Sequence, residues 1–463
     1  MFSYTVGMAN KDNGQKAMKN IRRGKKEAPQ IHIDLRSKVA SYLIGVVIVL
    51  VPFHAFLTVL GAKLGANYTM LRLFPEVALF VLVLWICFSV QLKRVWKGLA
   101  THKLALPVAS YTLLNLAYYV FTVATKNIDV QAAAYGLLLN TRHILWFVVV
   151  YAVVSHNKWL RENWRRITVV PLLIVSVFAL LQFFVLSPDF LSHFGYKKGV
   201  TITPIQTINQ DTETIRAQSF LRGPNPLGAY LLVGACLVWV AAFSRTRKYA
   251  LLFAVGAAMF LSFSRSAWLG CIVSGLAWSV ASKGFIRNAR YNLMAAVAVL
   301  SSLVVLALLL QSNHGFQNAI LHVNDRSTAA QTSNEGRLSA LEAGLSDVID
   351  EPFGRGLGTA GPASMSEDEV PARNSENYFL GLGQELGWVG MGLFITICYR
   401  LAKALYKQKN NLARAMFASL AGLTLVNLLS YAWADVTLVY LWWGLAAIAL
   451  ALEPDSKVTK RHG

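Results

Sequence analysis

Four arginines stand where an apolar chain accommodates them least easily. Arg265 lies in LSFSRSAWLG (261–270), between two runs that could each cross a bilayer, and Arg142, in LLLNTRHILWF, falls inside a predicted span. Arg216, in TIRAQSFLRGPNPLGAYL, comes just before a span that opens on Pro-Asn-Pro, and Arg337 begins an amphipathic stretch. A guanidinium close to hydrocarbon costs roughly 2.5 kcal/mol or more unless it faces water, a counter-charge or an anion. Taken singly, Arg265 reads as a residue snorkelling to the interface and Arg216 as a loop charge. Arg337 is slightly disfavoured by the helix dipole, by roughly 0.3 kcal/mol when exposed, so some other contact must justify it. Taken together, the arginines suit a multiply charged anion at the bilayer surface, because guanidinium binds phosphate in bidentate fashion where lysine acts as a point charge. Fixed guanidiniums also stabilise a departing diphosphate.

A second constellation is SENYFLGLGQELG, with Glu376, Asn377 and Glu385. Glu376 stands just before a predicted helix. Its plain role is an N-cap and its sharper one a general base for a hydroxyl proton, and the residues alone favour the cap. Glu376 and Glu385 are two and a half helical turns apart and would not share a face. No Walker loop, dinucleotide fingerprint or HExxH is present, and the nine histidines show no ligand spacing. Glu367-Asp368-Glu369 reads as a solvated acidic run, so neither a metal nor a cofactor is expected.

These residues need a membrane scaffold to hold them. Of 463 residues, 55% are hydrophobic and only 14% charged, against about 25% charged in soluble chains. Apolar runs long enough for ~30 Å of hydrocarbon recur down the sequence. Twelve spans are predicted, at about 41–61, 70–92, 104–124, 132–155, 167–187, 226–244, 248–264, 266–282, 291–311, 388–406, 412–430 and 436–452. The expected fold is therefore all-α, a polytopic transmembrane bundle. The net charge of +21 is distributed as basic clusters after every second span, which is the positive-inside bias rather than a nucleic-acid footprint. It places both termini in the cytoplasm and the segments at about 188–225 and 312–387 outside. The expected organisation is a basic, disordered tail at 1–40, spans one to nine over 41–311, the large outer loop at 312–387, three spans over 388–452, and a short tail at 453–463.

The large loop holds eleven acidic residues and four basic ones, all arginine: Arg326, Arg337, Arg355 and Arg373. Leu338, Leu341, Leu345, Val348 and Ile349 predict an amphipathic helix lying on the membrane or the bundle, capped at Ser333 or Asn334 and stopped by Pro352. The glycine-rich EPFGRGLGTAG follows. All four cysteines fall in predicted spans and read as small core residues.

Several of these motifs together resemble the O-antigen ligase and polymerase family of bacterial envelope proteins, over roughly residues 40–450 and most strongly from Arg216 to Gly392. The matching elements are Arg216 with RGPNPLGAYL, SRSAWLG with Arg265, the Arg-led GRLSALEAGL with Arg337, PFGRGLG, and ENYFLGLGQELGWVG. The last departs from the family pattern, which has histidine where this chain has Glu376. The resemblance implies a glycosyltransferase of the bacterial inner membrane, moving a glycan from a polyprenyl-diphosphate carrier to an acceptor. Arg216, Arg265, Arg337 and Arg142 would hold the diphosphate, with Arg265 and Arg337 also acting in catalysis. Glu376 would be the base, Asn377 would position the acceptor, and Glu385 would bind it or fix helix packing. The expected partners are the lipid-linked glycan, a lipid or glycan acceptor and membrane lipids, with no nucleic acid. The acceptor could be a lipid core, another lipid-linked repeat unit, or a protein side chain. The alternative from another class is a transporter or flippase for an anionic lipid or solute.

Overall fold

A computed structural model describes residues 35–88, 92–125, 129–208, 211–282, 333–364 and 373–452. The predicted span 291–311, both tails and Arg326 lie outside the described residues. The described chain is almost wholly helical: α1 (Ser37–Lys63), α2 (Tyr68–Arg72), α3 (Phe74–Phe88), α4 (Leu92–Thr101), α5 (Ala105–Thr125), α6 (Val130–Val154), α7 (Trp159–Phe184), α8 (Pro224–Val240), α9 (Arg245–Leu261), α10 (Arg265–Ala281), α11 (Ser333–Asp350), α12 (Gly361–Ser364), α13 (Tyr378–Lys407), α14 (Asn411–Leu428) and α15 (Val436–Ala451).

Six of these, α1, α5, α6, α7, α13 and α14, are long and apolar enough to cross a membrane. The predicted count of twelve needs the shorter helices as well, among them α3, α8 and α15. The expected all-α fold also meets one exception. Between α7 and α8 the chain forms a short 3₁₀ turn, Phe190–Phe194, and an antiparallel hairpin of β1 (Gln206–Ile208) and β2 (Asp211–Arg216). Gln206 pairs with Arg216 at the hairpin's open end, so the last strand residue is one of the candidate arginines.

The bundle centres on α6, most of whose span is buried. Its Trp146 donates to the Tyr440 carbonyl of α15 at 2.7 Å, and Trp433, Trp442 and Trp443 pack edge to face or tilted beside it. Hydrocarbon gives helices no hydrophobic reason to associate, so small residues and interhelical hydrogen bonds carry the contact. The most intimate pair is α10 and α14, where Gly270 and Gly422 let the backbones touch. A Cβ on Gly422 would sit 2.3 Å from the Gly270 carbonyl. That contact fixes the axis of α10, and therefore the place of Arg265 at its first turn.

Candidate functional site

The stretch around Arg265 is a tight reversal between α9 and α10. Phe263 takes a left-handed conformation, φ 48°, which is uncommon for a bulky residue and costs of order 1 kcal/mol unless its surroundings enforce it. Arg216 supplies part of that enforcement from the end of β2. Its Nε donates to the Ser262 carbonyl at 2.9 Å, and its Nη2 donates to the Asn225 Oδ1 at 2.8 Å and the Phe263 carbonyl at 3.3 Å. One guanidinium thus ties the hairpin, the reversal and the Pro-Asn-Pro start of α8 into a single unit. Arg265 in turn donates to the Asn334 Oδ1 at 2.6 Å, at the start of α11.

Helix α11 brings the third arginine. Arg337 Nε lies 3.3 Å from the Glu376 Oε2, with the two side chains 30% and 39% exposed. That ion pair is the contact its position near a helix start required. Burial first, and then the like charges of Arg337 and Arg265, hold the Arg216 guanidinium down to about 10. The three cations are close enough to disfavour one another, which is the electrostatic condition of an anion site. The first turn of α11 adds backbone N–H groups of the same sign beside them.

Glu376 is not the cap. Asn377 is, its Oδ1 accepting from the Phe379 and Leu380 amides at 2.9 and 3.1 Å. The side chain expected to position an acceptor is therefore occupied at the start of α13. Glu376 occupies the preceding position at φ 50°, and the bend turns its carboxylate out to Arg337. A cavity of about 620 Å³, counting its mouth, opens beside it, lined by Asn225, Asn374, Glu376, Tyr431 and Asp435.

Glu385 lies deeper, buried within α13. Its carboxylate accepts from the Asn140 Nδ2 at 2.6 Å and the Gly358 amide at 2.9 Å. Its backbone carbonyl accepts from the Gly356 amide at 3.0 Å, and Trp388 N–H donates to the Pro352 carbonyl at 2.9 Å. Here α13 is broken: Gly387 has φ 65° and ψ −170°, a conformation open essentially to glycine alone. Of the two roles expected for Glu385, these contacts are those of packing, binding the glycine-rich turn to α6 and α13.

The amphipathic segment forms α11 and stops before Pro352, as its pattern predicts. Only Val348 of its apolar row is buried, whereas Leu338, Leu341, Leu345 and Ile349 remain exposed. Polar contacts dock it instead. The Gln384 amide donates to Asp347 at 2.7 Å, and Trp388 Nε1 donates to the Val348 carbonyl at 2.7 Å. The loop's other described arginines are neutralised within it: Arg373 pairs with Asp347 at 3.2 Å and Glu351 at 3.1 Å, and Arg355 also pairs with Glu351. Arg355 first, opposed by some burial and helped by Arg373, holds the Glu351 carboxyl below the usual carboxylate range.

Arg142 stands apart from the other three candidates. It is 2% exposed, donates from Nη1 to the Glu76 Oε1 at 2.7 Å and from Nη2 to the Ala434 carbonyl at 2.5 Å, and lines a different cavity. The sequence reading passed over Glu76, although a carboxylate inside a predicted span is the first place to seek a partner for an intramembrane arginine. It also passed over Asp435, which caps α15 by accepting from the Leu438 amide at 3.2 Å. Among the described residues no group of three His, Cys, Asp or Glu side chains could hold a metal ion.

Helices of this length and apolarity define a polytopic helical membrane protein. The family model described as O-Antigen ligase matches residues 249–395, a segment that contains Arg265, Arg337, Glu376 and Glu385. An O-antigen polymerase from Salmonella muenchen is 26% identical over 223 residues, covering 47% of this chain and 53% of that protein. The chain thus spans about half the length of the curated relative it matches. Both comparisons support a likeness to the O-antigen ligase and polymerase family.

Proposed function

We propose that this protein is an inverting membrane glycosyltransferase that moves a glycan from a polyprenyl-diphosphate carrier to a lipid-core acceptor at the outer face of the bacterial inner membrane. The observation that carries the reading is the gathering of Arg216, Arg265 and Arg337, from three separate segments, with the Glu376 carboxylate paired to Arg337. Arg265 and Arg337 would clamp the diphosphate, and Arg216 would hold the reversal that presents Arg265 while adding its own charge.

The ion pair between Arg337 and Glu376 gives the clamp a sequence of events. A diphosphate that takes Arg337 displaces the carboxylate, leaving Glu376 free to accept the proton of the acceptor hydroxyl. The hydroxyl oxygen bonds to the anomeric carbon as the bond from that carbon to the diphosphate oxygen breaks. The electron pair leaves with the diphosphate, whose developing charge the guanidiniums stabilise. Glutamate replaces the histidine of the family pattern and needs only partial desolvation to serve as base. The diphosphate linkage supplies the driving force, so no nucleotide or metal enters the scheme. The orientation, with both termini cytoplasmic and α11 outside, rests on the positive-inside bias.

The named relative favours a second acceptor, another lipid-linked repeat unit, since it is called a polymerase. A glycan profile of cells lacking the protein separates the two. Long polymer accumulating on the carrier supports ligation, and single repeat units without long chains support polymerisation. An unchanged profile would overturn both.

A further inference from the structure

A second polar cavity shares Asp435 with the cavity beside Glu376. It holds about 790 Å³, counting its mouth, and is lined by Arg72, Arg142, Arg222, Glu76, Tyr135 and Asp435 among others. Asp435 lines both cavities, and the turn that leads to it supplies wall to each.

The lining is built rather than incidental. Arg72 stacks on the Tyr135 ring, 5.3 Å from its centroid, and donates to the Tyr135 hydroxyl. Its position is held from behind, because His54 Nε2 bonds to its carbonyl at 3.0 Å. Deeper in, Arg142 and Glu76 each keep one buried polar atom, Nε and Oε2, without a partner among the described residues. Three arginines and two carboxylates line it together with the rings of Tyr68 and Tyr135. Such a wall suits neither a prenyl chain nor a bare phosphate. Guanidinium and carboxylate pairs match the vicinal hydroxyls of a sugar, and flat phenol rings match the C–H faces of a pyranose.

We propose that this cavity seats the acceptor saccharide, with Arg72 and Tyr135 as its principal contacts. The inference rests on the glycosyl-transfer reading, and it assigns the second substrate of that reaction to a place distinct from the arginine clamp. An acceptor held here reaches the donor's anomeric carbon across the rim that Asp435 forms, where Glu376 lines the adjoining space. Arg142 then serves the acceptor side of the protein rather than the diphosphate side.

The test is binding of delipidated core oligosaccharide from the host envelope to the purified, full-length protein, with acceptor and donor kinetics measured in vesicles alongside. Arg72→Ala and Tyr135→Phe are expected to weaken oligosaccharide binding and raise the acceptor KM about tenfold, leaving the donor KM unchanged. Arg265→Ala is expected to retain oligosaccharide binding while losing transfer. Tyr135→Phe keeps the ring and the packing, so it reports the hydroxyl contact if Arg72→Ala lowers the yield of folded protein. Normal oligosaccharide binding in both variants, or a raised donor KM instead, would overturn the assignment while leaving the transferase reading intact. Wild-type protein that binds the oligosaccharide but transfers nothing would sink the transferase reading and keep the saccharide site. No saturable binding to wild type would sink the site itself.

Discussion

Arg142 and Arg265 are the same residue type, yet they keep opposite company. Arg142 is paired with Glu76 and a backbone carbonyl in the wall of its own cavity, its charge answered within the fold. Arg265 shares its surroundings with two further guanidiniums; it donates to the Asn334 amide oxygen, and the neighbouring Arg337 pairs with the partly exposed Glu376 carboxylate. A charge that is answered locally holds structure together. A cation crowded by two others gains stability when something of the other sign arrives. The comparison separates two kinds of arginine that are indistinguishable in a string of letters.

The largest effect that could break this comparison is on the fold. Arg142→Ala leaves Glu76 buried and uncompensated, and it should lower stability by about 3–5 kcal/mol. A thermal melt in detergent and the amount of protein in the membrane report it. Unchanged melting would mean that the pair is not the structural element its geometry suggests. Arg265→Ala and Arg337→Ala should instead leave abundance and melting near wild type while cutting transfer about 10²–10³-fold, as expected for loss of a fixed charge at a developing anion. Full activity in both would end the diphosphate-clamp proposal.

Glu376→Gln keeps the size and the bend but removes the base, and the initial rate should fall about 10²-fold. A rate equal to wild type would leave Glu376 only as a partner for Arg337. The smallest effect concerns the loop clamp. Glu351 has its carboxyl held below the usual range in the folded state, chiefly by Arg355. Its contribution to stability is therefore complete above the ordinary carboxylate range and lost as pH falls through the folded value. Acidification should loosen α11 before the bundle, seen as earlier proteolysis at 351–373, and Glu351→Gln should remove that pH dependence.

Much of the scaffold was legible in the sequence because apolar runs, proline stops and Arg-led starts are local signals. The helix at 333–350 and its end before Pro352 follow from spacing alone. What could not be read is company. Nothing near Arg142 in sequence points to Glu76, which lies on another helix, and nothing near Arg216 shows that its guanidinium ties down the reversal at 262–263. The hairpin ending at Arg216 was missed because its strands are too short to show alternation. The cap was assigned one residue early. Asparagine and glutamate both suit the start of a helix in principle, and only the left-handed bend at Glu376 decides that Asn377 caps while the carboxylate faces outward.

The crowding of three cations has a consequence for the life of the protein as well as for its chemistry. Their mutual repulsion is carried by the folded state when the site is empty and relieved when an anion fills it. On the proposed reading that anion is the donor, so mass action links folding to supply: saturation at a hundredfold over Kd adds about 2.7 kcal/mol to stability. A cell that stops making carrier-linked glycan would then hold its transferase in the less durable form, and membrane proteases would clear it faster. Turnover of the wild-type protein, followed with and without donor synthesis, should show that dependence, and Arg265→Ala should abolish it.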